Sequence, residues 1–127
     1  MIRHRIGEKG QELVEYALVL PILLLLILGI VDFSLTIFAY NSIANAAREG
    51  ARRGVVPSAN EQDVIDAAIG RTGGVALTDS NISVVSSTEQ ITVTVEYDHS
   101  LISGAIIRIA GGSSVLHLRS EATMLKE

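Results

Sequence analysis

The chain has no cysteine. This excludes a disulfide staple and a thiolate metal site, and it leaves the redox compartment open. Its three histidines, His4, His99 and His117, are scattered and lack the spacing of a metal-ligand set. Basic residues are sparse where a nucleic-acid surface would need them. Net charge is −4 for the whole chain and −5 over residues 54–127, whereas phosphate binding needs clustered Lys and Arg. The glycine cluster Gly70–Gly74 lacks the Gly-Lys-Ser/Thr of a phosphate loop and precedes no helix pattern, so it is expected to be a turn. Asp98-His99-Ser100 carries the residue types of a hydrolase triad. Adjacent residues cannot orient one another as a triad does, so a polar turn after a strand is expected. Glu61, Asp63 and Asp66 are too few for a calcium loop. No cofactor or metal is implied. An enzyme would require folding to assemble Asp98, His99, His117 and Glu121, and nothing argues for one.

Charge is also missing from Tyr16–Val31, sixteen residues long, and this absence is informative. From Glu12 to Val31 is twenty residues, about 30 Å as a helix, the thickness of one bilayer core. Met1–Gly10 forms a basic leader, with Arg3, Arg5 and Lys9 against Glu8. A short basic head before an apolar run has the shape of a signal sequence or a signal anchor. Ala44-Asn45-Ala46 has the small-x-small form of a cleavage site, but it lies thirteen residues beyond Val31, which disfavours conventional cleavage. Pro21 is tolerated in a membrane helix and is expected to bend it near Ala17–Pro21. Charge alone leaves orientation ambiguous, because Arg48, Arg52 and Arg53 follow the run as Arg3, Arg5 and Lys9 precede it. The short leader and the larger C-terminal part favour a cytoplasmic N-terminus. Glu15 either sits at the interfacial edge or takes a cationic partner. A cut after Gly10 would leave the amine of Gln11 one helical turn away, and a neighbour's amine could serve equally.

After Asp32 the pattern becomes two-faced. Ile37, Tyr40, Ala44, Ala47, Ala51 and Val55 follow helical spacing on one side, and Asn41, Asn45, Arg48 and Arg52 on the other. The membrane helix is therefore expected to continue as one rod over residues 11–53, about 64 Å long. Arg48, Glu49, Arg52 and Arg53 form either a partner or headgroup contact or a solvated face with a local Glu49–Arg53 pair. Val55-Val56-Pro57 breaks the rod.

Residues 54–127 are expected to form a small extracytoplasmic α+β domain. Ser58 or Asn60 can cap a short helix, Glu61–Ile69. Strands are expected at Ile82–Ser86, at Gln90–Tyr97 and at Val115–Leu125. In the second, Ile91, Val93, Val95 and Tyr97 alternate with polar residues. In the third, Leu116, Leu118, Ala122 and Met124 alternate with His117, Arg119, Glu121 and Thr123. Leu101–Ile109 is apolar with one arginine and can be a short helix, a fourth strand or a loop. Its apolar bulk favours contact with the membrane or a partner, with packing under the sheet as the alternative. A three- to four-stranded antiparallel sheet with one apolar face needs cover, and the rod and the short helix supply it.

Gly10-Gln-Glu-Leu-Val-Glu15-Tyr16 in front of an apolar helix resembles the processing site of prepilins in the tight adherence (Tad) pilus system. The longer GQELVEYALVLPILLLLILGIVDF, followed by AAREGARRG at Ala46–Gly54, is similar to the TadE-like family over roughly the first 55 residues. The resemblance implies a pilin-like, single-span protein of an adhesive pilus, a minor pilin or assembly factor. It implies a cut between Gly10 and Gln11 by a prepilin peptidase on the cytoplasmic side, with Glu15 and Tyr16 completing the site. The expected setting is the inner membrane, the C-terminal domain outside the cytoplasm. The expected partners are lipids, that peptidase, other pilin-like subunits and Tad assembly proteins, with no nucleic acid. An alternative from another class is an uncleaved, membrane-tethered binding module.

Overall fold

The computed structural model describes residues 6–126. Arg3, His4 and Arg5 of the basic leader lie outside the described residues. The element order is α1 (Ile6–Gly54), α2 (Glu61–Ile69), β1 (Ile82–Ser86), β2 (Gln90–Ser100), α3 (Gly104–Ile109) and β3 (Val115–Leu125), with one 3-10 turn at Asp79–Asn81. The fold is α+β: one long apolar helix, then a short helix and a three-stranded antiparallel sheet in the order β1-β2-β3. The segment Leu101–Ile109 takes the helical option, so there is no fourth strand among the described residues.

Helix α1 runs 49 residues through Pro21 without interruption. It begins at Ile6 and takes in Gly10, upstream of the expected start at residue 11. Its two halves differ in what surrounds them. From Leu13 to Val31 the large apolar side chains are exposed, except half-buried Leu28, one turn before Asp32. The hydroxyls that follow are satisfied within the helix: Ser34 Oγ donates to the Ile30 carbonyl and Thr36 Oγ1 to that of Asp32, both at 2.8 Å. Such back-bonding keeps a polar side chain tolerable in an apolar stretch.

From Ala39 onward one face is buried, formed by Ala39, Ile43, Ala46, Ala47 and Ala51 together with Gly50 and Gly54. This corrects the expected stripe in part. Ala44, Ala47 and Ala51 are buried, but Ile37 and Tyr40 stand 45 % and 48 % exposed. The packing face is mostly small residues that let the sheet approach, with Ile43 the one large side chain in it, while Ile37, Phe38 and Tyr40 stay exposed. Asn41, Asn45, Arg48 and Arg52 face solvent as expected. Ala44 and Ala46, the small residues of the apparent cleavage site, are buried within the helix.

The sheet lies along this half of the helix. Near its distal end, a Cβ on Gly50 would stand 3.2 Å from Val93 Cγ1, and one on Gly54 would stand 2.0 Å from Ile91 Cδ1. A side chain at Gly54 would displace the end of Ile91 and press on Val64. From Asp32 to Gly54 is about 33 Å of helix. The eleven residues of β2 span about 36 Å. Strand β2 therefore returns the chain from the tip of α1 to the level of Asp32. Ile91, Val93 and Val95 fill the core against α1, with Val64, Ile65 and Ala68 of α2 completing it.

Asn60, of the two capping candidates, caps α2. Its side chain accepts from the Asp63 N–H at 2.8 Å, while Asp63 Oδ2 accepts from the Asn60 N–H at 3.0 Å. The Gly70–Gly74 turn uses Gly73 and Gly74 at positive φ, as a glycine turn should. Strand β2 extends three residues beyond the expected Tyr97, so Asp98-His99-Ser100 is strand and not a turn. Each has a β3 partner: Asp98 pairs His117, His99 pairs Leu116 and Ser100 pairs Val115. Long-range pairing overrides the local turn preference of these polar residues.

Candidate functional site

The residues that the sequence singles out occupy the two ends of α1. At the N-terminal end, Glu12, Glu15, Tyr16 and Val19 share one face at i, i+3, i+4 and i+7, and together line a shallow cleft. Glu15 and Tyr16 are exposed. Gln11 lies one turn, about 6 Å of rise, before Glu15. Among the described residues, a Cβ added at Gly10 would meet nothing within 4 Å. Their packing gives no reason for glycine there, although glycine inside a helix costs about 1 kcal/mol relative to alanine.

At the other end the four-residue patch divides. Arg48, Glu49 and Arg52 line a groove with Asn45, Arg71 and Met124. Arg48 Nη1 donates to Asn45 Oδ1 at 3.4 Å. Arg53 turns away to α2, where its guanidinium lies 4.0 Å from Asp63 Oδ2. Among the described residues Glu49 makes no ion pair with Arg53, because Asp63 stands nearer on the adjoining helix. Sequence reasoning missed Arg71 and Met124. The glycine turn delivers one and the edge strand the other, and neither position carries a local signal.

A third cluster was also missed. Asp32 is only 5 % exposed, and its carboxylate holds the turn before α3. Oδ1 accepts from the Ile102 N–H at 2.7 Å and Oδ2 from the Ser103 N–H at 2.9 Å. The Ser103 hydroxyl also donates to Oδ2. The Ser103 hydroxyl and N–H hold the carboxyl below its ordinary value near 3.8, with further lowering from the Ile102 N–H and from nearby His99 and an opposing contribution from burial. Hydrogen bonds to the charged form outweigh desolvation here.

The sheet's outer face is polar. Thr92 and Thr123 hydroxyls meet at 2.9 Å, Arg119 lies 3.7 Å from Glu96 and 3.4 Å from Glu121, and His117 Nδ1 lies 2.5 Å from Asp98 Oδ1. The Asp98–His117 pair is more than two-thirds exposed on both sides, and His99 points to the opposite face of β2. The four residues an enzyme would have needed are therefore not brought to one place. Among the described residues no group of three His, Cys, Asp or Glu side chains could hold a metal.

One helix, beginning at Gly10 among the residues searched, is long and apolar enough to cross a membrane, with a mean hydropathy of 2.7 in its most apolar stretch. No match was found among curated proteins or among solved structures. Residues 10–52 match the family model described as TadE-like protein. The similarity first visible in Gly10–Gly54 thus coincides with this match, which covers the long helix, about a third of the chain; the sheet and short helices lie beyond it.

Proposed function

We propose that this chain is a single-span, prepilin-like minor pilin or assembly factor of a Tad-type adhesive pilus. It is held in the inner membrane with its N-terminus in the cytoplasm and its domain, residues 54–127 with the second half of α1, outside. The prepilin peptidase of the system cuts between Gly10 and Gln11. The mature subunit then joins other pilin-like subunits and Tad assembly proteins through its helix.

The observation that carries this reading is the division of α1. Among the described residues, one continuous helix bears a glycine without a packing role, Glu15-Tyr16, a largely exposed apolar cylinder, and the spine of a folded domain. A cylinder so exposed needs lipid or other helices around it. In the bilayer, lipid surrounds it. In an assembly, neighbouring helices can replace the lipid without altering the domain. Glu15 stands where the new amine of Gln11, or that of a neighbour, can pair with it in a low-dielectric setting.

The test is Glu15→Ala in a strain that depends on this protein for piliation. Membrane insertion should be unchanged, because removing a carboxylate from an apolar helix favours insertion. Pilus yield should fall. Unchanged yield would remove the pairing role of Glu15 and leave it as a solvated residue at the membrane edge.

A further inference from the structure

The segment between β2 and β3 is built, not loose. The Leu101 N–H donates to the Ser114 carbonyl at 3.0 Å and the Gly112 N–H to the Ile107 carbonyl at 2.9 Å. A Cβ on Gly104 would stand 2.7 Å from Ser114 Cβ, so α3 folds close against the start of β3. Asp32 fixes its entry through Ile102 and Ser103. Yet its apolar side chains turn outward. Ile102 is 57 %, Ile106 45 % and Ile109 89 % exposed. Ile106 and Ile109 lie one turn apart on α3, and Ile102 precedes them in the turn that Asp32 holds. An element this firmly held, with its isoleucines in the open, has an unpartnered apolar face.

Its height identifies the partner. Asp32 is the first charged residue after the apolar run, and from Glu12 it is twenty residues along the helix, about 30 Å, one bilayer core. The turn bonded to Asp32 is therefore fixed at the boundary where α1 leaves the bilayer. Phe33, next to Asp32, is 67 % exposed and apolar, and Tyr40, two turns beyond it and 48 % exposed, is of the type enriched at a membrane–water interface. Arg108, the one charge between Leu101 and Leu116, can bury its stem while its guanidinium reaches the headgroups.

We propose that α3 is a membrane-docking element. Ile102, Ile106 and Ile109 rest in the headgroup–acyl boundary of the leaflet through which α1 emerges, and so fix the tilt and rotation of the domain on the bilayer. This rests on α1 spanning the membrane. The occupant is lipid, not a second copy of the chain, because Asp32 places the face at lipid depth beside a helix already clothed in lipid. A peripheral element of this kind lies about 5–10 Å into the boundary region.

The chain has no tryptophan, so a single one reports on its own position. Three full-length variants, Ile109→Trp, Leu24→Trp and Val85→Trp, would be reconstituted in phosphatidylcholine–phosphatidylglycerol vesicles. The lipids would carry bromine either near the ester end or near the methyl end of the acyl chain. Ile109 is exposed enough for its replacement to leave the fold intact. Fluorescence of Ile109→Trp should be lost most with bromine near the ester end, and that of Leu24→Trp with bromine near the methyl end. Val85→Trp, 65 % exposed at the far end of the sheet, should be quenched by aqueous acrylamide and by neither lipid. Ile109→Trp behaving like Val85→Trp would overturn the proposal. So would Ile109→Trp shielded from both acrylamide and lipid bromine, which would mean a second copy covers it. If Leu24→Trp itself escapes lipid quenching, α1 does not span and the anchoring reading falls too. Deep quenching of Leu24→Trp without quenching of Ile109→Trp overturns the docking of α3 alone.

Discussion

Asp32 Oδ1 accepts a hydrogen bond from the backbone N–H of Ile102 at 2.7 Å, across 70 positions of chain. That bond joins the end of the apolar run to the start of the α3 segment. It ties the long helix to the end of the sheet at Ser100 and Val115. Two consequences can be measured.

Replacing Asp32 by alanine removes every acceptor of this cluster and leaves the Ile102 and Ser103 N–H groups without their partners. The expected result is local: amide exchange at Ile102 to Ile109 accelerates, while that of Ile91, Val93 and Val95 in the core stays slow. Asp32→Asn keeps one carbonyl acceptor and should fall between the two. Equal acceleration throughout β2 would show that Asp32 supports the whole domain and not the α3 segment alone.

The same cluster should respond to acid. The folded state holds the Asp32 carboxyl below its ordinary value near 3.8, first through Ser103. A carboxylate depressed on folding contributes stability that is fully present above its unfolded pKa and is lost as pH falls through the folded one. Exchange at Ile102 and Ser103, corrected for intrinsic rates, should therefore hold steady from neutral pH down to the ordinary carboxylate range and accelerate below it. In Asp32→Asn this acid step should vanish. A step of equal size in that variant would assign it to other carboxylates.

Gly54 offers a test of the distal packing. An alanine Cβ there would stand 2.0 Å from Ile91 Cδ1 and 3.2 Å from Val64 Cγ2. Alanine is the better helix former by about 1 kcal/mol, yet overpacking a filled core costs about 1–3 kcal/mol, and the clash should win. Gly54→Ala should lower the melting temperature in detergent. Adding Ile91→Val, which removes the obstructing methyl, should recover part of the loss and give a non-additive pair. A stabilised Gly54→Ala protein would contradict the close contact of helix and strand.

The sequence made some of these features legible and hid others for physical reasons. Hydrophobicity is local, so Leu13–Val31 announced itself, and so did the period-two pattern of Ile91, Val93 and Val95. The phase of the buried stripe was harder, because Ile37 and Tyr40 look like core residues. Close approach of the sheet selects Ala39, Ala46 and Gly50 instead, and small residues carry little hydrophobic signal. Strand β2 was cut short at Tyr97 because Asp98, His99 and Ser100 favour turns locally, while their β3 partners are remote. The contacts of Asp32 with Ile102 and Ser103, and the presence of Arg71 beside Arg48 and Arg52, depend on where the chain returns. No spacing in the sequence encodes that return.

The most direct test concerns the other end of the helix, where Gly10 has no packing role among the described residues and Glu15 stands one turn beyond Gln11. Intact mass and N-terminal sequence should be determined for the protein produced with and without the prepilin peptidase of a Tad system. With the peptidase the chain should begin at Gln11, and without it residues 1–10 should remain. A chain that keeps residues 1–10 in both preparations would contradict the prepilin-like reading and leave a permanently tethered membrane protein.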